Sequence, residues 1–255
     1  MNKLDILLKD KYKDLLSMYF TAGYPNLDDS REIIDSLESN GADLIEIGIP
    51  FSDPVADGPV IQTSNAAAIE NGMTLRMLFE QLKSVNPNSK LPKILMGYFN
   101  PVLQYGVEKF CKDCKNVGVD GVIIPDLPVY EYETHYKSVF EEYGIHFIFL
   151  VSPQTSEERL NRIEELSTSF IYAVSTNATT GGITDFSSQK EYFQRLKDHL
   201  SKPFLIGFGV KDKNTFKTAC EYANGAIVGS AFINSLMELG SVTENIESFI
   251  NQLRN

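Results

Sequence analysis

A (β/α)8 TIM barrel is the fold class predicted, on three observations. Short apolar runs alternate with helical patterns eight times, the chain has the length such a barrel needs, and no composition shift or linker divides it. The strands are read at 17–22 (SMYFTA), 44–49 (LIEIGI), 94–99 (ILMGYF), 121–125 (GVIIP), 147–151 (FIFLV), 170–175 (FIYAVS), 204–208 (FLIGF) and 226–229 (AIVG). They are near-continuous in apolar residues, the pattern of parallel strands covered on both faces. Between them, stretches such as LDDSREIIDSLESNG and SEERLNRIEELST space their apolar residues by three and four, and a Gly usually stands near the end. A doubly wound open sheet is the alternative. It is disfavoured because no G-x-G-x-x-G follows the first strand. The prediction is therefore one domain over residues 1–255, with extra helices after strands two (59–71) and eight (from Ser230). Both insertions follow strands at their C-terminal ends, the face where these barrels build active sites.

Composition narrows the function. With 43% hydrophobic and 22% charged residues, the chain can bury an ordinary core. A net charge of −11 excludes a basic, phosphate-tracking surface for nucleic acid, but leaves room for a small phosphorylated substrate held by backbone N–H groups. Three cysteines make no disulfide framework, and the pair Cys111 and Cys114 lacks two further ligands for zinc. No N-terminal apolar region or membrane-length run is present, so a reduced, cytoplasmic setting is expected.

The chemistry concentrates in DLIEIGIPFSDPVADGPV, residues 43–60. Alternation puts Ile45, Ile47 and Ile49 on the face toward the helices, so Glu46 points into the barrel with Gly48 leaving space beside it. Desolvation there favours the protonated form and makes Glu46 a candidate general acid. The plain alternative is a structural carboxyl paired with a backbone N–H or a buried base. Asp57 reads first as Asp-Gly turn chemistry, and second as an ionised partner in a wetter loop. Asp53 reads as a turn or cap.

A second constellation is glycine: TTGGI at 179–183, GFG at 207–209 and GS at 229–230, each after a strand. Loops after strands seven and eight with a short extra helix form the recurrent phosphate site of these barrels. No lysine is read within a strand for a Schiff base, and no His, Asp and Glu cluster has metal spacing. Acid–base groups plus an anion cradle suit isomerisation or carbon–carbon cleavage without a cofactor.

These residues resemble the tryptophan synthase α subunit family. LIEIGIPFSDPVADGPVIQ is the specific part; YFTAGYP, LMGYFNPVLQYG, GVIIPDLP, FLIGFGV and GAIVGSAFI extend the likeness nearly end to end. The resemblance implies a lyase that cleaves indole-3-glycerol phosphate to indole and glyceraldehyde 3-phosphate. It implies Glu46 and Asp57 as catalytic groups, and Tyr19, Leu95, Ile123, Tyr172 and Thr180 as substrate contacts. Gly181, Gly209 and Ser230 match its phosphate contacts, and Gly207 and Gly229 belong to the anion cradle read from the glycine segments. It further implies a β-subunit partner in an α2β2 assembly, with pyridoxal phosphate in that partner and no cofactor or metal in this chain. Pro50, Phe51, Asp53 and Pro54 would lie on the docking rim. The loop after strand six departs from the family pattern, with Thr176 in place of an arginine and Ala178 in place of a glycine. Two rivals are another sugar-phosphate barrel enzyme and a chain that only docks on a partner.

Overall fold

A computed structural model describes residues 2–175, 189–207 and 209–254. Its strands are β1 (Leu15–Thr21), β2 (Leu44–Gly48), β3 (Lys93–Met96), β4 (Gly121–Ile123), β5 (His146–Phe147), β6 (Leu150–Val151), β7 (Ile171–Val174), β8 (Phe204–Gly207) and β9 (Gly225–Val228). They form one sheet in the order β5-β4-β3-β2-β1-β9-β8-β7-β6, and every pairing is parallel. β5 and β6 are two pieces of the predicted fifth strand. Between them the Ile148 N–H donates to the Val122 carbonyl (2.9 Å), and the Phe149 carbonyl accepts from the Tyr172 N–H (2.9 Å). One segment thus bonds to both ends of the sheet and curls it into the barrel. The predicted extra helices are present at Pro59–Glu70 and Ser230–Ser235. Pro59 opens the first of these, where a missing N–H costs nothing.

The apolar side chains divide into two bodies. A larger one lies between sheet and helices and contains Ile45, Ile47 and Ile49, as the alternation in the second strand requires. A smaller one fills the barrel interior with Leu15, Leu44, Ile94, Ile123, Ile148, Phe170, Tyr172, Leu205 and Ile227. Leu4 joins this inner body, with Leu7 and Leu8 packed against it. The helix Lys3–Asp10 therefore closes the end of the barrel opposite the C-terminal ends of the strands.

That end is stapled by Asp120. Its carboxylate accepts from the backbone N–H of Lys3 and of Lys93, each at 3.0 Å. Lys93 corrects one expectation, because a lysine does begin a strand, and it is buried. It pairs in register with Ile45, so it faces the helices at the far end of β3 from the candidate site. Gly225 shows how close the barrel packing is, since a Cβ there would lie 2.2 Å from the Leu15 carbonyl oxygen.

Leu4 is fully buried at the closed end, so Leu4→Ala leaves a cavity that rigid strand ends cannot fill. The expected loss is about 2–5 kcal/mol, read as a lower urea midpoint with an unchanged slope. A midpoint within error of wild type would show that the helix does not plug the barrel.

Candidate active site

At the C-terminal ends of the strands lies a cavity of ≈ 210 Å³, lined among others by Tyr19, Asp57, Asn65, Met96, Tyr98 and Leu150. Glu46 sits immediately below this lining. Its side chain is wholly buried, and it pairs in register with Tyr19 on one side and Ile94 on the other. The Ser17 hydroxyl donates to Glu46 Oε1 at 2.8 Å. Oε2 is buried without a hydrogen-bond partner among the described residues. Burial pushes the Glu46 carboxyl up to about 8, and the Ser17 bond opposes part of that rise. A carboxylic acid that keeps its proton near neutral pH is what a general acid requires.

Two glycines shape the wall. A Cβ on Gly48 would lie 2.2 Å from Tyr19 Oη, and one on Gly207 would lie 2.1 Å from Tyr172 Oη. The space that Gly48 leaves therefore holds a phenol rather than the Glu46 carboxyl. Gly207 is required by the Tyr172 ring, a different reason from the anion contact read in the sequence. Both phenols are held well above their ordinary range, by burial first and by the neighbouring acids next.

Asp57 is half-buried in the loop after β2, and its Oδ2 accepts from Tyr98 Oη at 3.1 Å. Tyr98 Oη in turn accepts from the Ala56 N–H (3.2 Å), and the Tyr98 ring stacks on Phe51 at 4.7 Å between centroids. Burial raises the Asp57 carboxyl above its ordinary range and the Tyr98 bond lowers it, so this loop is drier than its composition suggests. Asn65 ties the same loop to the helix Pro59–Glu70, since its Oδ1 accepts from the Phe51 N–H and its Nδ2 donates to the Ile61 carbonyl.

Of the predicted contacts, Tyr19 lines the cavity, Tyr172 and Ile123 lie in the barrel interior, and Leu95 does neither. Leu95 pairs with Ile47 and packs under the helices, while the adjacent Met96 pairs with Gly48 and faces the cavity. One residue of register flips a side chain across the sheet. Gly209 is exposed with φ +82°, and Gly229 is the N-cap of the short helix that begins at the exposed Ser230. Thr180 and Gly181, with Thr176 and Ala178, lie outside the described residues. On the rim, Pro50, Phe51 and Pro54 are half-buried and Asp53 is exposed, its Oδ2 accepting from the Ser52 hydroxyl at 2.5 Å. Sequence reasoning passed over Ser17, Tyr98, Asn65 and Met96. Ser17 had a signal, as the one polar residue inside the buried run LLSMYF at the same parity as Tyr19.

The family model for the tryptophan synthase alpha chain matches residues 6–254. The chain belongs to the tryptophan synthase alpha chain family. It is 52% identical to the tryptophan synthase alpha chain of Flavobacterium johnsoniae over 256 residues, covering 100% of both chains. Identity to the alpha chain of Christiangramia forsetii is also 52%, over 100% of this chain and 99% of that one. Among solved structures, the Legionella pneumophila tryptophan synthase subunit alpha superposes with a TM-score of 0.92 at 32% identity, covering 100% of this chain and 97% of that one. A chain of the Pyrococcus furiosus tryptophan synthase complex gives a TM-score of 0.86 at 35% identity, over 95% and 98%. The alpha chain family consists of lyases that cleave indole-3-glycerol phosphate. Among the described residues no cluster of His, Cys, Asp and Glu could hold a metal, and no helix is long and apolar enough to cross a membrane.

The raised Glu46 carboxyl predicts a pH-dependent stability. The folded state holds this proton up to about 8, whereas the unfolded chain releases it near the ordinary 4.5. Its stabilisation is complete below 4.5 and is lost as pH rises through 8, a change on the order of a few kcal/mol. Glu46→Gln keeps the shape without the charge, so its stability advantage over wild type should widen from pH 5 to pH 9 in urea titrations. Parallel curves for the two proteins would refute an uncompensated carboxyl at this position.

Proposed function

We propose that the cavity beneath the Asp57 loop is where this chain cleaves indole-3-glycerol phosphate, with Glu46 and Asp57 as its catalytic groups. The observation that carries the assignment is the Glu46 carboxyl, wholly buried with its proton retained and one oxygen without a partner among the described residues. The substrate indole sits over Tyr19 and Met96, with Ile123 and Tyr172 beneath. Glu46 gives its proton to indole C3, which breaks the enamine and leaves an indolenine with positive charge at nitrogen. The carboxylate of Asp57 faces that N–H. Glu46, now ionised, takes the proton from the adjacent glycerol hydroxyl. The carbon–carbon bond then breaks, its electron pair returns to the indolenine to restore indole, and the aldehyde of glyceraldehyde 3-phosphate forms. The indolenine is itself the electron sink, so the step calls for no Schiff-base lysine, and Lys93 is at the wrong end of the barrel to offer one.

The phosphate lies against Gly209, Gly229 and Ser230, where barrels of this class receive phosphates, and Gly181 is a further contact that the family likeness implies. Gly207 supplies room for Tyr172 in that wall. Thr180, from the same stretch of sequence as Gly181, is a further substrate contact that the family likeness implies. The whole chain, 1–255, acts as one domain and carries no cofactor. It docks through Pro50, Phe51, Asp53 and Pro54 on a β subunit, which holds the pyridoxal phosphate, in a cytoplasmic α2β2 assembly. The Pyrococcus furiosus relative, solved as a tryptophan synthase complex, supports this pairing.

The deciding assay is indole release from indole-3-glycerol phosphate, with and without a β subunit. Wild type should release indole faster with the partner. Glu46→Gln and Asp57→Asn should each lose at least 10²–10⁴-fold in kcat, about what a general acid or a charge-stabilising group supplies. Wild-type rates in Glu46→Gln would overturn Glu46 as the general acid, and no indole from wild type even with a bound partner would leave a docking protein in place of an enzyme.

A further inference from the structure

The strand Leu15–Thr21 is buried along its whole length, and Ser17 is a hydroxyl placed in the middle of it. Its register neighbours, Leu44 on β2 and Ile227 on β9, belong to the apolar interior of the barrel. A hydroxyl in such surroundings is unfavourable unless it has a partner, and the partner it has is Glu46 Oε1 at 2.8 Å. Ser17 is fully buried, and its hydroxyl proton is directed to Glu46 Oε1.

We propose that Ser17 is a positioning residue for the lyase reaction, which fixes Glu46 through Oε1 so that Oε2 is the oxygen that carries and exchanges the catalytic proton. The inference rests on the assignment of Glu46 as the general acid. A donor fixed on Oε1 makes the two carboxyl oxygens unequal. The acid proton goes to the oxygen that accepts no other bond, and that oxygen is the buried, unpartnered Oε2. The same bond stabilises the ionised carboxylate that must form once the proton has been given away. Without it, burial alone would hold the proton too tightly for release and recapture within one turnover.

The other ionisable groups that face Glu46 are Tyr19 from β1 and Tyr172 from β7, with Asp57 in the loop above. The two phenols are neutral acids held above their ordinary range, and Asp57 is engaged by Tyr98 in the loop. Burial and Ser17 are the two causes that set the Glu46 proton affinity among the described residues.

The test reads Glu46 directly, by carbon-13 NMR titration of protein labelled at the glutamate carboxyls. The Glu46 signal is assigned by its absence from Glu46→Gln. Ser17→Ala should move the Glu46 titration alkaline by roughly one to two pH units, the size of a lost hydrogen bond to a charged group. The nearly isosteric Ser17→Cys, a weak donor, should move it the same way and covers the case in which the alanine variant does not fold. Ser17→Thr, which keeps the hydroxyl, should restore the wild-type titration. The Glu46-dependent limb of the kcat–pH profile for indole release should shift by the same interval, with KM unchanged. An unmoved titration in the folded Ala and Cys variants overturns the proposal. So does a moved titration with an unmoved kcat–pH profile. Retention of activity in Glu46→Gln would instead overturn the catalytic assignment, and the titration result would stand apart from it.

Discussion

The burial of one carboxyl inside the barrel sets the conditions that the rest of the site has to meet. An ionised glutamate in an apolar interior is costly, and among the described residues no lysine, arginine or histidine offsets that cost for Glu46. The interior accepts the group in two ways: the carboxyl keeps its proton, and a single hydroxyl from β1 supports one oxygen. Dryness is enforced by the surrounding packing. Gly48 and Gly207 leave room for the phenols of Tyr19 and Tyr172, and these fill the layer around the acid. Larger residues at either glycine would drive the rings off their rotamers and open the site. The proton affinity of Glu46 is thus a property of the packing as much as of the residue.

The two ends of the barrel divide stability from chemistry. At the closed end, Leu4 enters the interior and Asp120 ties the N-terminal helix to β3 through two backbone N–H groups. Nothing there need move. At the open end the polar contacts among the described residues gather on the Asp57 loop. Tyr98 joins the Ala56 N–H to the Asp57 carboxylate while stacking on Phe51, and Asn65 anchors the Phe51 N–H. Among the described residues these bonds shape the Asp57 loop from its own side of the barrel.

How much of this was legible in the sequence depended on contrast between the two faces of each strand. In the second strand three isoleucines mark the outer face, so the inward direction of Glu46 followed from parity alone. In β3, Ile94, Leu95 and Met96 are apolar on both faces, and no alternation shows which residue faces the cavity; the register with β2 decides it. The alternation of runs gave the barrel but not the split of its fifth strand, because the pattern FIFLV is continuous and the break lies in the hydrogen bonding. The role of Leu4 was hidden for a related reason. A short amphipathic helix near a terminus looks the same whether it covers a surface or plugs a barrel. Gly207 was read as an anion contact because neighbouring glycines suggested one, and nothing in the sequence showed that a ring from the adjacent strand also requires a glycine there.

On the proposed roles, the two acids are tuned against different moments of the reaction. Burial raises both carboxyls, but Asp57 is half-exposed in the free protein and has a phenol donor, while Glu46 is sealed from the start. An entering indole covers the Asp57 loop and strips it of water, which makes its negative charge more costly in the bound ground state. Protonation of the ring by Glu46 then creates positive charge facing that carboxylate, and the cost is offset at that point. The attraction between Asp57 and the ring is therefore stronger after proton transfer than before it, which is the condition for an interaction to speed the chemical step rather than merely tighten binding. Glu46 undergoes the opposite change, since it becomes charged as its proton leaves, and Ser17 is the hydrogen-bond donor already in place to receive that charge.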